Sequence, residues 1–226
     1  MKKRYLAGAV AMSLWSLAAQ AVPTLHESAI NINGSVTGVS TGVGVNDGGF
    51  NYTSGLGSIL LSISGVGSHA VDLFVDHEFD TLVNTYFNEI GANTGILGAG
   101  QRWEIDEPGW FNGDIYENFQ LSALDNGIGT SVYGNTTFPD DVSMALGWDF
   151  SLLAGETAYI SYWLSETQPG GGFYLKQTDP HSQASLYFYS TLDIRGGGSI
   201  PEPSTLLLLG MGALAFGASR RSRRNS

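Results

Sequence analysis

Two groups of carboxylates are the residues of this chain best placed to do chemistry. Asp72, Asp76, Glu78 and Asp80 recur with the two-residue period of a strand and share one face with Phe74; Val71, Leu73, Val75, His77 and Phe79 share the other. Carboxylates crowded on one strand face repel unless something positive compensates, which makes Asp76, Glu78 and Asp80 a candidate calcium site of hard oxygen ligands. Alternate strand residues lie about 7 Å apart, too far to chelate one ion unaided, so the spacing favours a solvated face screened by water. His77, on the apolar side, reads as a packed or hydrogen-bonded histidine and not as a ligand. The second group, Asp106, Glu107, Asp114 and Glu117, lies among aromatic residues. Trp103 and Trp110, with Phe111 and Tyr116, could stack on sugar rings, although aromatic residues of an all-β body are more often core.

Two further chemistries are weighed by the same criteria. A carboxylate pair about 5–10 Å apart would suit glycoside hydrolysis, but nothing in the sequence selects one pair from the body's twenty acids. Gly38-Val39-Ser40-Thr41-Gly42 matches the G-x-S-x-G pattern, and His69, His77 or His181 could be imagined as its partner. That chemistry needs a strained turn from strand to helix, and no helical pattern follows this glycine-rich stretch, so it is rejected. No catalytic residue is assigned, and the body reads as a non-enzyme.

The elements that must position these residues are strands. Residues 30–57 are rich in Gly, Ser, Thr and Asn, with Asn33-Gly34 and Asp47-Gly48-Gly49 as turn signals between short strands. Residues 59–64 and 70–79, joined by a turn over 65–68, predict a β-hairpin. Leu82, Val83, Tyr86, Phe87 and Ile90 suit one short amphipathic helix within 80–92; a strand, a proline-marked turn and another structured piece follow over 101–119. The alternation is clearest in Met144, Leu146, Trp148 and Phe150, then in Ala158, Ile160, Tyr162 and Leu164 after a turn at 154–156. Residues 172–178 and 184–194 predict another hairpin. Regular strand and turn spacing with few helical stretches points to an all-β, antiparallel β-sandwich, with a jelly roll as one topology.

Composition sets limits on partners. Seven of the ten basic residues lie in the two ends, leaving the body Arg102, Lys176 and Arg195 against twenty acids, a formal charge of −17. Nucleic acid is excluded as a partner, because phosphate binding relies on a basic surface; cations and sugars fit better. There is no cysteine, hence no disulfide framework or thiolate metal site. No cofactor is expected, calcium being the one that the composition would admit.

Both ends read as targeting segments. Lys2, Lys3 and Arg4 precede an apolar stretch, and Ala19-Gln20-Ala21 supplies a small-x-small site for signal peptidase before Val22, so residues 1–21 form a signal peptide. A sandwich domain over 22–195 and a glycine-rich tether over 196–199 follow. Then come Pro201-Glu202-Pro203, an uncharged apolar stretch predicted as a single hydrophobic helix over about 204–219, and a basic tail (220–226) with Arg220, Arg221, Arg223 and Arg224. As a helix that stretch reaches only about 24 Å against about 30 Å of hydrocarbon, which suits a temporary anchor in the inner membrane. The arginines stay on the cytoplasmic side and place the body on the far face. Both prolines keep the preceding segment extended and open to a peptidase.

Ile200-Pro201-Glu202-Pro203-Ser204-Thr205, the apolar run and the arginine cluster together resemble the PEP-CTERM sorting signal of Gram-negative bacteria, over residues 200–226. The resemblance implies a substrate of the membrane transpeptidase exosortase, in organisms that make an exopolysaccharide matrix, delivered to the cell surface or the extracellular matrix. Segments 76–80, 103–109 and 141–148 also look like those of other PEP-CTERM surface proteins. The expectation is an exported surface or matrix-associated protein with a structural or adhesive body. The alternative is a calcium-dependent carbohydrate-binding module that contacts matrix polysaccharide, or a glycoside-active enzyme.

Overall fold

The computed structural model describes residues 21–79, 88–109, 113–129 and 141–196, which form two β-sheets around a common core. One sheet has the order β2 (Ser35–Gly38), β1 (Pro23–Ile32), β5 (Gly67–Phe79), β9 (Ser143–Leu152), β7 (Gln101–Asp106) and β8 (Gly127–Ile128). The other has the order β3 (Val45–Asn51), β4 (Leu56–Ser64), β10 (Glu156–Ser165), β12 (Ser185–Gly196), β11 (Tyr174–Thr178) and β6 (Ile90–Thr94). Neighbouring strands are antiparallel, apart from the short parallel contact of β7 with β8. The all-β, antiparallel expectation therefore holds.

Alternation explains the two layers. Val71, Leu73 and Val75 of β5 and Met144 and Leu146 of β9 share one buried cluster with Ile59, Leu61 and Ile63 of β4 and Ile160, Tyr162 and Leu164 of β10. Each large apolar side chain so buried contributes about 1.5–3 kcal/mol. Tyr162 crosses between the sheets and donates its hydroxyl to the Val71 carbonyl at 3.1 Å. At the first turn, Asn33 and Gly34 have φ of 54° and 84°, the left-handed pair that a tight hairpin between β1 and β2 requires.

Two expectations need correction. The strands over 59–64 and 70–79 exist, but they are not a hairpin: β4 pairs with β10 and β3, and β5 pairs with β1 and β9. Ile59, Leu61 and Ile63 bury their faces best as one wall of the core with Val71, Leu73 and Val75 as the other, so the chain switches sheets at the turn. The succession from β9 to β10 switches sheets in the same way, whereas β11 and β12 do form the predicted hairpin. The amphipathic helix expected over 80–92 falls partly on residues outside the described ones, and its last residues start strand β6, which pairs with β11. The structured piece expected near residue 113 is a helix: α1 (Ile115–Gln120) buries Ile115 and Phe119, one turn apart.

Helix α1 lies over the outer face of β5. Phe74 meets Tyr116 and Phe119 with ring centroids 5.2 and 5.7 Å apart. Buried Asn31 of β1 donates to the carbonyls of Phe119 and Gln120 at 2.8 and 3.0 Å, which ties the end of the helix to the sheet.

Candidate functional site

Because α1 covers β5, much of the outward side of that strand is withdrawn from solvent. Asp72 and Asp76 are 0% and 3% exposed, which corrects the expectation of a water-screened face. The pattern put the right residues on one face but carried no sign of the cover over them. His77 is fully buried on the opposite face, and burial lowers its pKa to about 4, as a packed histidine requires.

Among the described residues, the tightest acidic group sits at the end of β7. Glu104 and Asp106, two apart and on one face, meet Asp114 from the residue before α1, with ligand oxygens all within 4.8 Å of one another. Glu104 is held by the Asn118 side-chain amide, 3.1 and 3.3 Å from its two oxygens, and by the Asp125 backbone N–H at 3.2 Å. Asp106 accepts the Asp114 backbone N–H at 3.1 Å. A Cβ at Gly129 would fall 1.9 Å from Asp106 Oδ1, so only glycine lets this loop close over the carboxylate. Burial, followed by neighbouring acids, pushes Glu104 up to about 7 and Asp106 up to about 6. The nearest cation on the strand, Arg102, is committed elsewhere: it contacts Asp72 at 2.7 Å and Asp149 at 3.0 Å.

Beside this group opens a cleft of about 760 Å³, lined by His26, Asp76, Glu78, Tyr116, Glu117 and Asp141 among others. Asp76 accepts the Ser143 hydroxyl at 3.0 Å and is pushed up to about 6 by burial. Glu78 and Asp141 are each raised to about 7, by burial first and then by the carboxylates around them. Glu89, 3% exposed, sits behind them; its Oε2 accepts from the Gln177 amide and from the Val142 N–H, while its Oε1 and Asp141 Oδ1 are buried without a hydrogen-bond partner among the described residues. Burial and then the charge of Glu78 raise Glu89 to about 9. Glu107 acts electrostatically on both Asp106 and Asp141, so the two acidic places form one continuous end of the sandwich.

The sequence-predicted residues are distributed as follows. Asp76 and Glu78 reach the cleft, and Asp106 and Asp114 meet at the neighbouring group. Trp103 is 6% exposed with its ring 5.6 Å from Phe173, so it is core and has no face free for a sugar. Ala21 is buried and Val22 exposed. Ala19, Asp80, Trp110, Pro201, Glu202, Pro203, Arg220, Arg221, Arg223 and Arg224 lie outside the described residues. Sequence reasoning missed Glu104, whose signal was its two-residue spacing from Asp106, and Glu89, hidden in a stretch expected to be helical.

The description "PEP-CTERM protein-sorting motif" matches residues 199–224. The chain carries a PEP-CTERM sorting motif. The PEP-CTERM motif marks an exported protein and makes exosortase its processing partner. No curated protein and no solved structure matches the chain. The hydrophobic segment of the PEP-CTERM motif lies outside the described residues; among those described, no helix is long and apolar enough to cross a membrane.

Proposed function

We propose that the exported sandwich serves at the cell surface or in the surrounding matrix as a structural or adhesive, non-catalytic module braced by calcium. The observation that carries this reading is the convergence of Glu104, Asp106 and Asp114 within 4.8 Å. Oxygens that each lie 2.3–2.6 Å from one calcium ion are separated by up to about 5 Å, so the three carboxylates fit a shared hard cation. Signal peptidase removes residues 1–21, and exosortase acts at Pro201-Glu202-Pro203 during a transient stay in the inner membrane.

Each half of this reading has its own test. Millimolar calcium is expected to raise the Tm of the full chain near pH 7.5 by on the order of 5 °C, the size of a ligand at many times its Kd. Glu104→Gln with Asp106→Asn removes that rise; Asp76→Asn with Glu78→Gln leaves it. Absence of any calcium response disposes of the site. Deletion of residues 201–203 is expected to keep the precursor in the membrane fraction, and unchanged release would count against processing there.

A second reading rests on the raised carboxyls of Asp76, Glu78 and Asp141 around an open cleft, a setting that also suits glycoside hydrolysis. Reducing ends liberated from matrix polysaccharide by the protein, and lost in Asp76→Asn, would replace the non-catalytic reading with this one.

A further inference from the structure

The outer face of the second sheet carries a different kind of surface. Pairing of β10 with β12 sets Trp163 opposite Tyr189, Ser165 opposite Tyr187 and Tyr159 opposite Asp193, so four aromatic rings share the outward side of two adjacent strands. Trp163 and Tyr189 stack with centroids 5.3 Å apart and planes 15° apart. Tyr159 is 42% exposed, and Trp163, Tyr187 and Tyr189 are half-buried. From Tyr159 to Tyr187 the rings extend about 20 Å along the strands, a length set by three steps of two residues.

Charge separates this face from the rest of the body. Two of the three basic side chains lie on it: Lys176 Nζ is 6.0 Å from the Tyr187 ring centre and Arg195 Cζ is 5.1 Å from that of Tyr159. Asp193, held by Arg195 at 2.6 Å, is the carboxylate on the outward positions of β10, β11 and β12. The crowded carboxylates belong to the end of the other sheet, and charges farther than about 8 Å are screened at physiological salt.

We propose that this face binds an extended acidic polysaccharide, with the C–H faces of its sugar rings on Tyr159, Trp163, Tyr187 and Tyr189 and its carboxylates toward Lys176 and Arg195. Aromatic rings offer an apolar surface with little side-chain entropy to lose, and the two cations supply the complement to the polymer's charge. The inference rests on the surface or matrix role proposed above, but on neither the cleft nor the calcium group.

The test is electrophoresis of the full chain through gels containing polygalacturonate, in chelator at pH 6, with cellohexaose as a neutral probe measured by tryptophan fluorescence. Retardation by polygalacturonate is expected, weakened about tenfold in Lys176→Gln and in Trp163→Leu with Tyr189→Leu, with Tm kept within a few degrees. Tyr159→Ser, at the exposed end of the row, checks the same surface should the double variant misfold. No retardation, or retardation indifferent to all these changes, overturns the proposal. Equal affinity for cellohexaose overturns the acidic assignment, and a dimer lost in the double variant without glycan binding assigns the face to a second copy. A calcium-dependent Tm that survives such a failure leaves the braced-module reading standing.

Discussion

In chelator, the protein is expected to lose thermal stability as the pH rises from about 5 to about 8. Asp76 and Asp106 are raised to about 6, Glu78, Glu104 and Asp141 to about 7, and Glu89 to about 9, all well above the ordinary values of these acids. Between the ordinary and the raised values, the folded chain holds protons that the unfolded chain has released. Its stability contribution is therefore full at low pH and lost as the pH climbs through the folded values. His77, lowered to about 4, works in the opposite sense below its ordinary value, but it is one group against these six and Asp72, which is also raised to about 6. A fall of on the order of 5–10 °C in Tm is expected across this window, and calcium should recover the share that arises at Glu104 and Asp106 by replacing protons with an ion. Proton release on calcium addition, measured in weakly buffered solution, is the companion observation. A chelator profile flat from pH 5 to pH 8 would overturn the account.

The second large effect is expected at the ion pair that ties the two acidic strands together. Arg102 reaches from β7 to Asp72 of β5, 2.7 Å away and fully buried, and also donates to the Ser122 carbonyl. Room for that carboxylate depends on Gly147, where a Cβ would lie 1.8 Å from Asp72 Oδ1. Even with the arginine in place, burial raises Asp72 to about 6. Arg102→Met strands the carboxylate and is expected to cost about 3–5 kcal/mol, or on the order of 10 °C in Tm. The loss should be larger at pH 8 than at pH 5, because acid neutralises the stranded group. Adding Asp72→Asn should recover much of it, which a double-mutant cycle measures. A cost for Arg102→Met no greater than that of an ordinary surface change would show that the pair does not matter.

The strands were legible wherever apolar and polar residues alternated. Met144 to Phe150, Ala158 to Leu164 and Leu186 to Phe188 each fixed which side chains face inward. Alternation does not say which strand lies alongside, so the switch of sheets between β4 and β5 was invisible: a short turn serves a hairpin and a crossover equally. Helix α1 was missed because Ile115 and Phe119 supply a single helical repeat, too little to register a period. That omission had a further cost. Without the helix, Asp72 and Asp76 looked like a wet face, and the approach of Asp114 to Glu104 and Asp106 could not be foreseen. The aromatic row of β10 and β12 was present in the sequence as Tyr159, Trp163, Tyr187 and Tyr189, but alternation alone does not show that these two strands lie side by side.

Strand β12 has one more consequence. It is an interior strand, flanked by β10 along ten paired residues and by β11 along five, and it ends at Gly196, just ahead of the motif at 199–224. A pull along the strand from that end would meet the β10 pairing first, over Ser190–Gly196, and the pairing on both flanks only from Tyr189 inward. Loaded along its length, such pairing yields by shearing several hydrogen bonds at once and not by opening them singly.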